Sequence, residues 1–235
     1  MRRLDQILSS LGYCSRNEAR TLVREERVLV KGEPVRDTGV KVNPEDVTFD
    51  DEPLDHPDGI LVLMNKPVGL VCSHDGREGP AIYSLLPERW MRRNPTVTSI
   101  GRLDKETSGL ILVTDQSALV HTLTSPKHKV QKHYLATLDR DLSQAEFERL
   151  RDCFAAGTLQ LEDEKTPCAA AELQLRSPRQ ALLILTEGRY HQVRRMFAAM
   201  SFTVVALHRE RFGAMDLGEL KPGEWKHLPL DTFKT

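Results

Sequence analysis

The segment Gly101-Arg102-Leu103-Asp104-Lys105-Glu106-Thr107-Ser108-Gly109 runs straight into the apolar stretch Leu110-Ile111-Leu112-Val113. A short polar loop, edged by glycines and followed by a continuous apolar run, reads as a turn entering a buried strand. A buried strand has to sit inside a sheet, so this junction constrains the fold more than any other stretch. It also holds one carboxylate, Asp104, against a rigid scaffold, with Arg102 two residues before it. Functional groups concentrate on loops held in this way. Taken alone, the loop reads equally well as a surface turn with ordinary charges.

The chain has 235 residues, 40% hydrophobic and 29% charged. That is enough for one large or two modest domains with a real core. No apolar run approaches the length of a membrane span, and the opening Met1-Arg2-Arg3-Leu4-Asp5 lacks a secretory apolar stretch. Cys14, Cys72, Cys153 and Cys168 are far apart and form no C-x-x-C pair. This spacing argues against a zinc site or a disulfide framework and points to a reducing cytoplasm. The net charge of −1 does not advertise a nucleic-acid partner, but its distribution is uneven. Arg2, Arg3, Arg16, Arg20, Arg24, Arg27 and Arg36 crowd the N-terminal stretch, and Glu45 to Asp58 is acidic without a lysine or arginine. The pattern suggests a basic binding module followed by an acidic linker, although any one of these arginines alone is an ordinary solvated charge.

Residues 1–55 read as the first domain. Leu4, Ile7, Leu8 and Leu11 recur at helical spacing and Gly12 ends that helix. Ser15 and Glu18 form a capping-box pattern ahead of a second helix with Ala19, Leu22 and Val23 on its apolar face. Val28, Val30 and the turn at Lys31-Gly32-Glu33-Pro34 predict a hairpin, and Val40, Val42 and Val47 a further extended segment. This stretch resembles the S4-type RNA-binding domain, through Arg3-Leu4-Asp5, Ser15-Arg16-x-x-Ala19 and Arg27-Val28-x-Val30-x-Gly32. The resemblance implies that Arg16, Arg20 and Arg27 face RNA, a task suited to a planar guanidinium fork. One departure stands out. The family commonly has a glycine just before the Arg-Val strand, where this chain has Glu25 and Glu26.

Residues 60–235 read as the second domain. Strands are predicted over 60–64, 70–72, 97–100, 110–113, 132–138, 170–175, 180–186, 204–208 and 212–217. Helices are predicted over 116–124, from Ser143 onward, and over 191–200, the last opened by Gly188. The expected class is α+β, with a mixed, mostly antiparallel sheet flanked by helices. Four segments stand in order: Asn65-Lys66-Pro67-x-Gly69, Gly101-Arg102-Leu103-Asp104, Lys132-x-Tyr134, and Glu187-Gly188-Arg189-Tyr190-His191-Gln192-Val193-Arg194-Arg195-Met196. Together they resemble the RsuA-type pseudouridine synthases. The stretch from Tyr190 to Arg211 looks closest to the branch acting on small-subunit ribosomal RNA.

The resemblance implies a catalytic set of Asp104, Tyr134 and Arg194. Asp104 would be the catalytic carboxylate, Tyr134 would stack on the target base, and Arg194 would be the basic partner of Asp104. Arg102 would lie beside the flipped nucleotide and Leu185 would wall the pocket. Separately from the resemblance, Lys127, His128, Lys129 and Lys132 form a basic run that reads either as a solvated face or as a track for RNA phosphates. The reaction breaks N1–C1′, turns the base and joins C5 to C1′, so the expectation is no cofactor and no metal. Whether the carboxylate attacks C1′, attacks the base or takes a ribose proton is left open; a carboxylate nucleophile is reasonable chemistry. Reaching C1′ in folded RNA requires extrusion of the nucleotide. The expected partner is ribosomal RNA or a partly assembled subunit, bound by a monomer. Rival readings are a large-subunit enzyme of the same family, a non-catalytic S4-type assembly factor, and a nucleosidase using Asp104 with Glu106. The last pair sits two residues apart on one loop, an awkward spacing for flanking a bond. No nucleotide-binding glycine loop is present.

Overall fold

In the computed structural model, which describes residues 1–233, the apolar repeat at Leu4, Ile7 and Leu8 becomes the buried face of a short helix. The first elements are β1 (Arg2–Arg3), α1 (Leu4–Ser10), α2 (Ala19–Arg24), β2 (Val28–Val30), β3 (Glu33–Pro34), β4 (Lys41–Val42), β5 (Val47–Phe49) and β6 (Glu52–Pro53). Their apolar residues form one cluster, from Leu4 to Leu54. The reciprocal bonds expected of the capping box form, the Ser15 N–H donating to Glu18 Oε2 at 2.7 Å and the Glu18 N–H to Ser15 Oγ at 3.2 Å, but they close a turn ahead of α2, whose N-cap is Glu18. The extended segment expected over Val40 to Val47 is split. Pro44 opens a 3₁₀ turn, so β4 pairs with β1 while β5 pairs with β2. Glu26 has φ +56. That left-handed backbone explains why a glycine suits the position and why the glutamate there is strained.

The second set comprises β7 (Leu61–Lys66), β8 (Thr98–Ile100), β9 (Thr107–Thr114), α3 (Ser117–Thr124), β10 (Lys132–Leu138) and α4 (Gln144–Ala156). After these come β11 (Glu172–Ser177), β12 (Gln180–Leu185), α5 (Gln192–Ala199), β13 (Val204–Phe212), β14 (Met215–Asp216) and β15 (Trp225–His227). Among the described residues, nine of these strands build one sheet with the central order β11-β12-β10-β13-β9-β7-β15. Every pairing is antiparallel except β13 with β9, which is parallel. The expected mixed, mostly antiparallel sheet is therefore present. All six positions of β7 are buried, as its unbroken apolar run requires. The two faces and two halves of the sheet bury separate clusters, and Tyr134 packs against two of them.

Two expectations need correction. Leu70–Cys72 is not a strand: Gly69, at φ +87, turns the chain across the sheet end, and Val71 makes one isolated bridge to Ala81. The late strands expected at 204–208 and 212–217 are a single long β13, which turns at Gly213 and pairs back through β14. Helix α5, expected over 191–200, runs from Gln192 to Ala199, with His191 in a left-handed backbone at its N-cap.

Candidate active site

The Asp104 loop is fixed at both ends. Before it, Ser99 Oγ donates to the Gly101 carbonyl at 2.8 Å. After it, Lys66, fully buried at the end of β7, donates from Nζ to the carbonyls of Pro67 (2.9 Å), Lys105 (3.3 Å) and Thr107 (2.8 Å). The Gly69 N–H donates to the Lys105 carbonyl at 2.8 Å. Burial pushes the Lys66 ammonium below its ordinary pKa, with the Cys72 thiol and the Asp104 and Glu106 carboxylates acting the other way. Lys66, in the Asn65-Lys66-Pro67 motif, thus underpins the loop.

Sheet register lines up the rest of the site. Tyr134 on β10 faces Arg209 on β13, Arg209 faces Gly109 on β9, and Gly109 faces Lys66 on β7. One row across four strands therefore carries a tyrosine, two buried cations and the glycine that closes the Asp104 loop. Gly109 permits the row: a Cβ there would lie 2.3 Å from the Arg209 carbonyl oxygen. A cleft of about 900 Å³ opens over this part of the sheet, lined by Asp104, Arg102, Lys132, Tyr134, Leu185 and Arg209, among others. Its size suits a nucleotide.

Five of the sequence-predicted residues come together in this cleft: Asp104, Tyr134, Arg102, Lys132 and Leu185. Arg102 is exposed and reaches Glu78 at 3.2 Å. Lys132 donates to the Val130 carbonyl at 3.0 Å; burial and then the neighbouring Arg209 charge push its ammonium below the ordinary value. Leu185 is buried in the wall. Arg194 is placed differently from its expected pairing. Its guanidinium donates to the Val204 carbonyl at 2.6 Å and the Glu106 carbonyl at 3.0 Å, tying α5 to the start of β13 and to the Asp104 loop. Among the described residues, the basic group within ion-pair distance of Asp104 is His191, with Nε2 3.4 Å from Oδ1. The His191 ring stacks on the exposed Tyr190 at 3.9 Å. In the N-terminal part Arg16 and Arg20 are exposed, whereas the fork of Arg27 is engaged by Asp50 at 2.7 and 2.6 Å.

Two residues of the site were not singled out from the sequence. His191 stands inside a quoted motif, but nothing local announces that its left-handed backbone aims the ring at Asp104. Arg209 does leave a signal. It shares a strand face with Leu207, and a charge on the apolar face of a strand marks a buried polar group that needs an explanation.

A family model described as RNA pseudouridylate synthase matches residues 60–199, and one described as S4 domain matches residues 2–47. The chain is 41% identical over 231 residues to the ribosomal small subunit pseudouridine synthase A of Escherichia coli K12, covering 96% of each chain. It is 38% identical over 229 residues to the protein of the same name from Haemophilus influenzae, covering 96% of this chain and 95% of that one. A crystal structure of a pseudouridylate synthase superposes with a TM-score of 0.66 at 35% identity, covering 97% of this chain and 96% of the other. With four ordered motifs, an anchored aspartate loop and end-to-end similarity of this extent, the chain belongs to the RNA pseudouridylate synthase family.

Proposed function

We propose that this protein isomerises one uridine of small-subunit ribosomal RNA to pseudouridine, with Asp104 as the reacting carboxylate. The observation that carries the reading is the anchored Asp104 loop opening into a nucleotide-sized cleft that Tyr134 also lines. The N1–C1′ bond breaks, the base turns, C5 joins C1′, and the C5 proton leaves while N1 gains one. Atoms balance without an added reagent. Asp104 acts while the nucleotide is extruded into the cleft, Tyr134 stacks on the base, and Leu185 provides the apolar wall. His191, beside Asp104, and Arg194, bonded to the carbonyl of Glu106, hold the loop for reaction. Arg102 and Lys132 meet RNA phosphates at the rim. The division into residues 1–55 for RNA capture and residues 60–235 for catalysis belongs to the same reading, as do a cytoplasmic, monomeric protein and a partly assembled subunit as substrate. Support for the small subunit is the name borne by relatives such as those of E. coli and H. influenzae, aligned along nearly their whole lengths.

The test is release of tritium from RNA labelled at uracil C5, with wild type and Asp104→Asn, on small- and large-subunit ribosomal RNA and on a partly assembled particle. Release by wild type from small-subunit substrate alone supports the reading. Release from large-subunit RNA alone reassigns the substrate. Binding without release from any of them leaves a non-catalytic RNA-binding protein.

A further inference from the structure

Arg209 lies at the centre of the sheet, 2% exposed, and its Nη2 has no hydrogen-bond partner among the described residues. Its Nε donates to the Leu110 carbonyl at 2.7 Å, and its Nη1 lies 3.4 Å from the Tyr134 hydroxyl. The buried Arg93 offers a contrast, because Asp115 faces it at 2.9 Å. Arg209 has no carboxylate of that kind among the described residues; the rings of Phe212 and Tyr134 lie 5.3 and 5.9 Å from its Cζ, and the nearby Lys132 carries a like charge. A buried guanidinium without a counter-ion and with an idle donor lowers stability, and an apolar side chain of the same size would serve the fold better. Buried groups of this kind, kept against the interest of the fold, mark functional sites.

What the group can do follows from its donors. A guanidinium accepts no hydrogen bond, so toward Arg209 the Tyr134 oxygen can only be the acceptor. The phenol hydrogen must then point elsewhere, and Tyr134 lines the cleft. The 3.4 Å separation is long for a settled bond, as such distances in unliganded sites often are before substrate tightens them. The approach is also held by register, since Tyr134 and Arg209 are cross-strand partners and a β-bulge lies between His133 and Tyr134.

We infer that Arg209 is a positioning residue for the isomerisation: it holds the Tyr134 oxygen from behind and so turns the phenol O–H toward the bound nucleotide. The inference rests on the proposed role of Tyr134. Its test uses Arg209→Met, Tyr134→Phe and the double variant in the full-length protein. Melting temperature, RNA KM and single-turnover tritium release are measured for each. Arg209→Met is expected to melt no lower than wild type and to keep its KM, while its rate falls by about ten-fold or more, the scale of a removed acid–base contribution. In the Tyr134→Phe background the same substitution is expected to change the rate less than about two-fold, because the group it acts through is gone. Arg209→Gln, which keeps an amide donor, should recover part of the rate; it also carries the comparison if the methionine variant does not fold.

An unchanged rate in Arg209→Met beside an impaired Tyr134→Phe overturns the inference and leaves the tyrosine in place. An equal fall in both backgrounds also overturns it, as does a rate loss matched by a lower melting temperature. Full activity in Tyr134→Phe instead removes the reading of Tyr134 itself.

Discussion

Asp104 and Gly109 sit at the two ends of one short loop and are open to opposite kinds of test. Asp104 is partly exposed in the cleft, and among the described residues its charge meets His191 and, with Glu106, opposes the desolvation of the Lys66 ammonium. Asp104→Asn is therefore expected to leave folding and RNA affinity intact while turnover falls by at least about a thousand-fold, the scale seen when a reacting group is removed. Gel-shift affinity and tritium release on the same preparation check both halves. Gly109 is the reverse case. Any side chain there meets the Arg209 backbone at under 3 Å, at a φ of +109. Gly109→Ala should lose at least about 3 kcal/mol through overpacking and backbone strain together; urea denaturation measures it. Both residues were legible as a loop and its edge. The reason glycine is required at 109 was not, because the obstructing backbone comes from a strand a hundred residues later in the chain.

At the level of elements, local rules carry furthest where the interactions are local. Helix α4 (Gln144–Ala156) was readable from Ser143 and its amphipathic run, and its capping box forms. Hydrogen bonds from the Ser143 side chain and backbone, then from Arg140, hold the Glu146 carboxyl down at about 2, against an ordinary 4.5. A depressed folded-state pKa stabilises above the ordinary value and loses its effect as pH falls through the folded one. The melting difference between wild type and Glu146→Gln is thus expected to be full at pH 6, to shrink as pH falls below the ordinary 4.5 and to be lost as it passes below about 2, as calorimetry at several pH values would show. Helix α5 shows the limit of such reading. Its span was readable to within a residue at each end, but not the left-handed backbone of His191 at its N-cap, whose partner Asp104 lies far away in the chain. The strand expected at Leu70–Cys72 failed for a similar reason, since an apolar triplet cannot show that no strand lies beside it to pair with.

On the scale of the molecule, the segment after the N-terminal elements is clamped by a buried pair. Arg93 and Asp115 are 2.9 Å apart with their side chains 2% and 6% exposed, and Arg93 also donates to the carbonyls of Asp55 and His56. Asp115→Ala leaves that guanidinium buried without its carboxylate, and should reduce stability by about 3–5 kcal/mol, measurable by denaturant titration. Exposed Arg16 and Arg20 make a prediction about RNA rather than about folding. Reversing both to glutamate should weaken RNA binding and reduce the slope of log affinity against log salt by about one for each phosphate no longer engaged; an unchanged slope would remove the pair from the interface. By itself the sequence determined the helices with caps, the buried strands, the basic start and the four ordered motifs, because those depend on residues close together in the chain. Only the tertiary structure decided that Tyr134, Arg209, Gly109 and Lys66 share one row, that His191 rather than Arg194 stands at Asp104, and that Arg209 has no counter-ion among the described residues. Those facts depend on strand register and on the single parallel pairing of β13 with β9. Register is fixed by the packing of the whole sheet, and no segment encodes it alone.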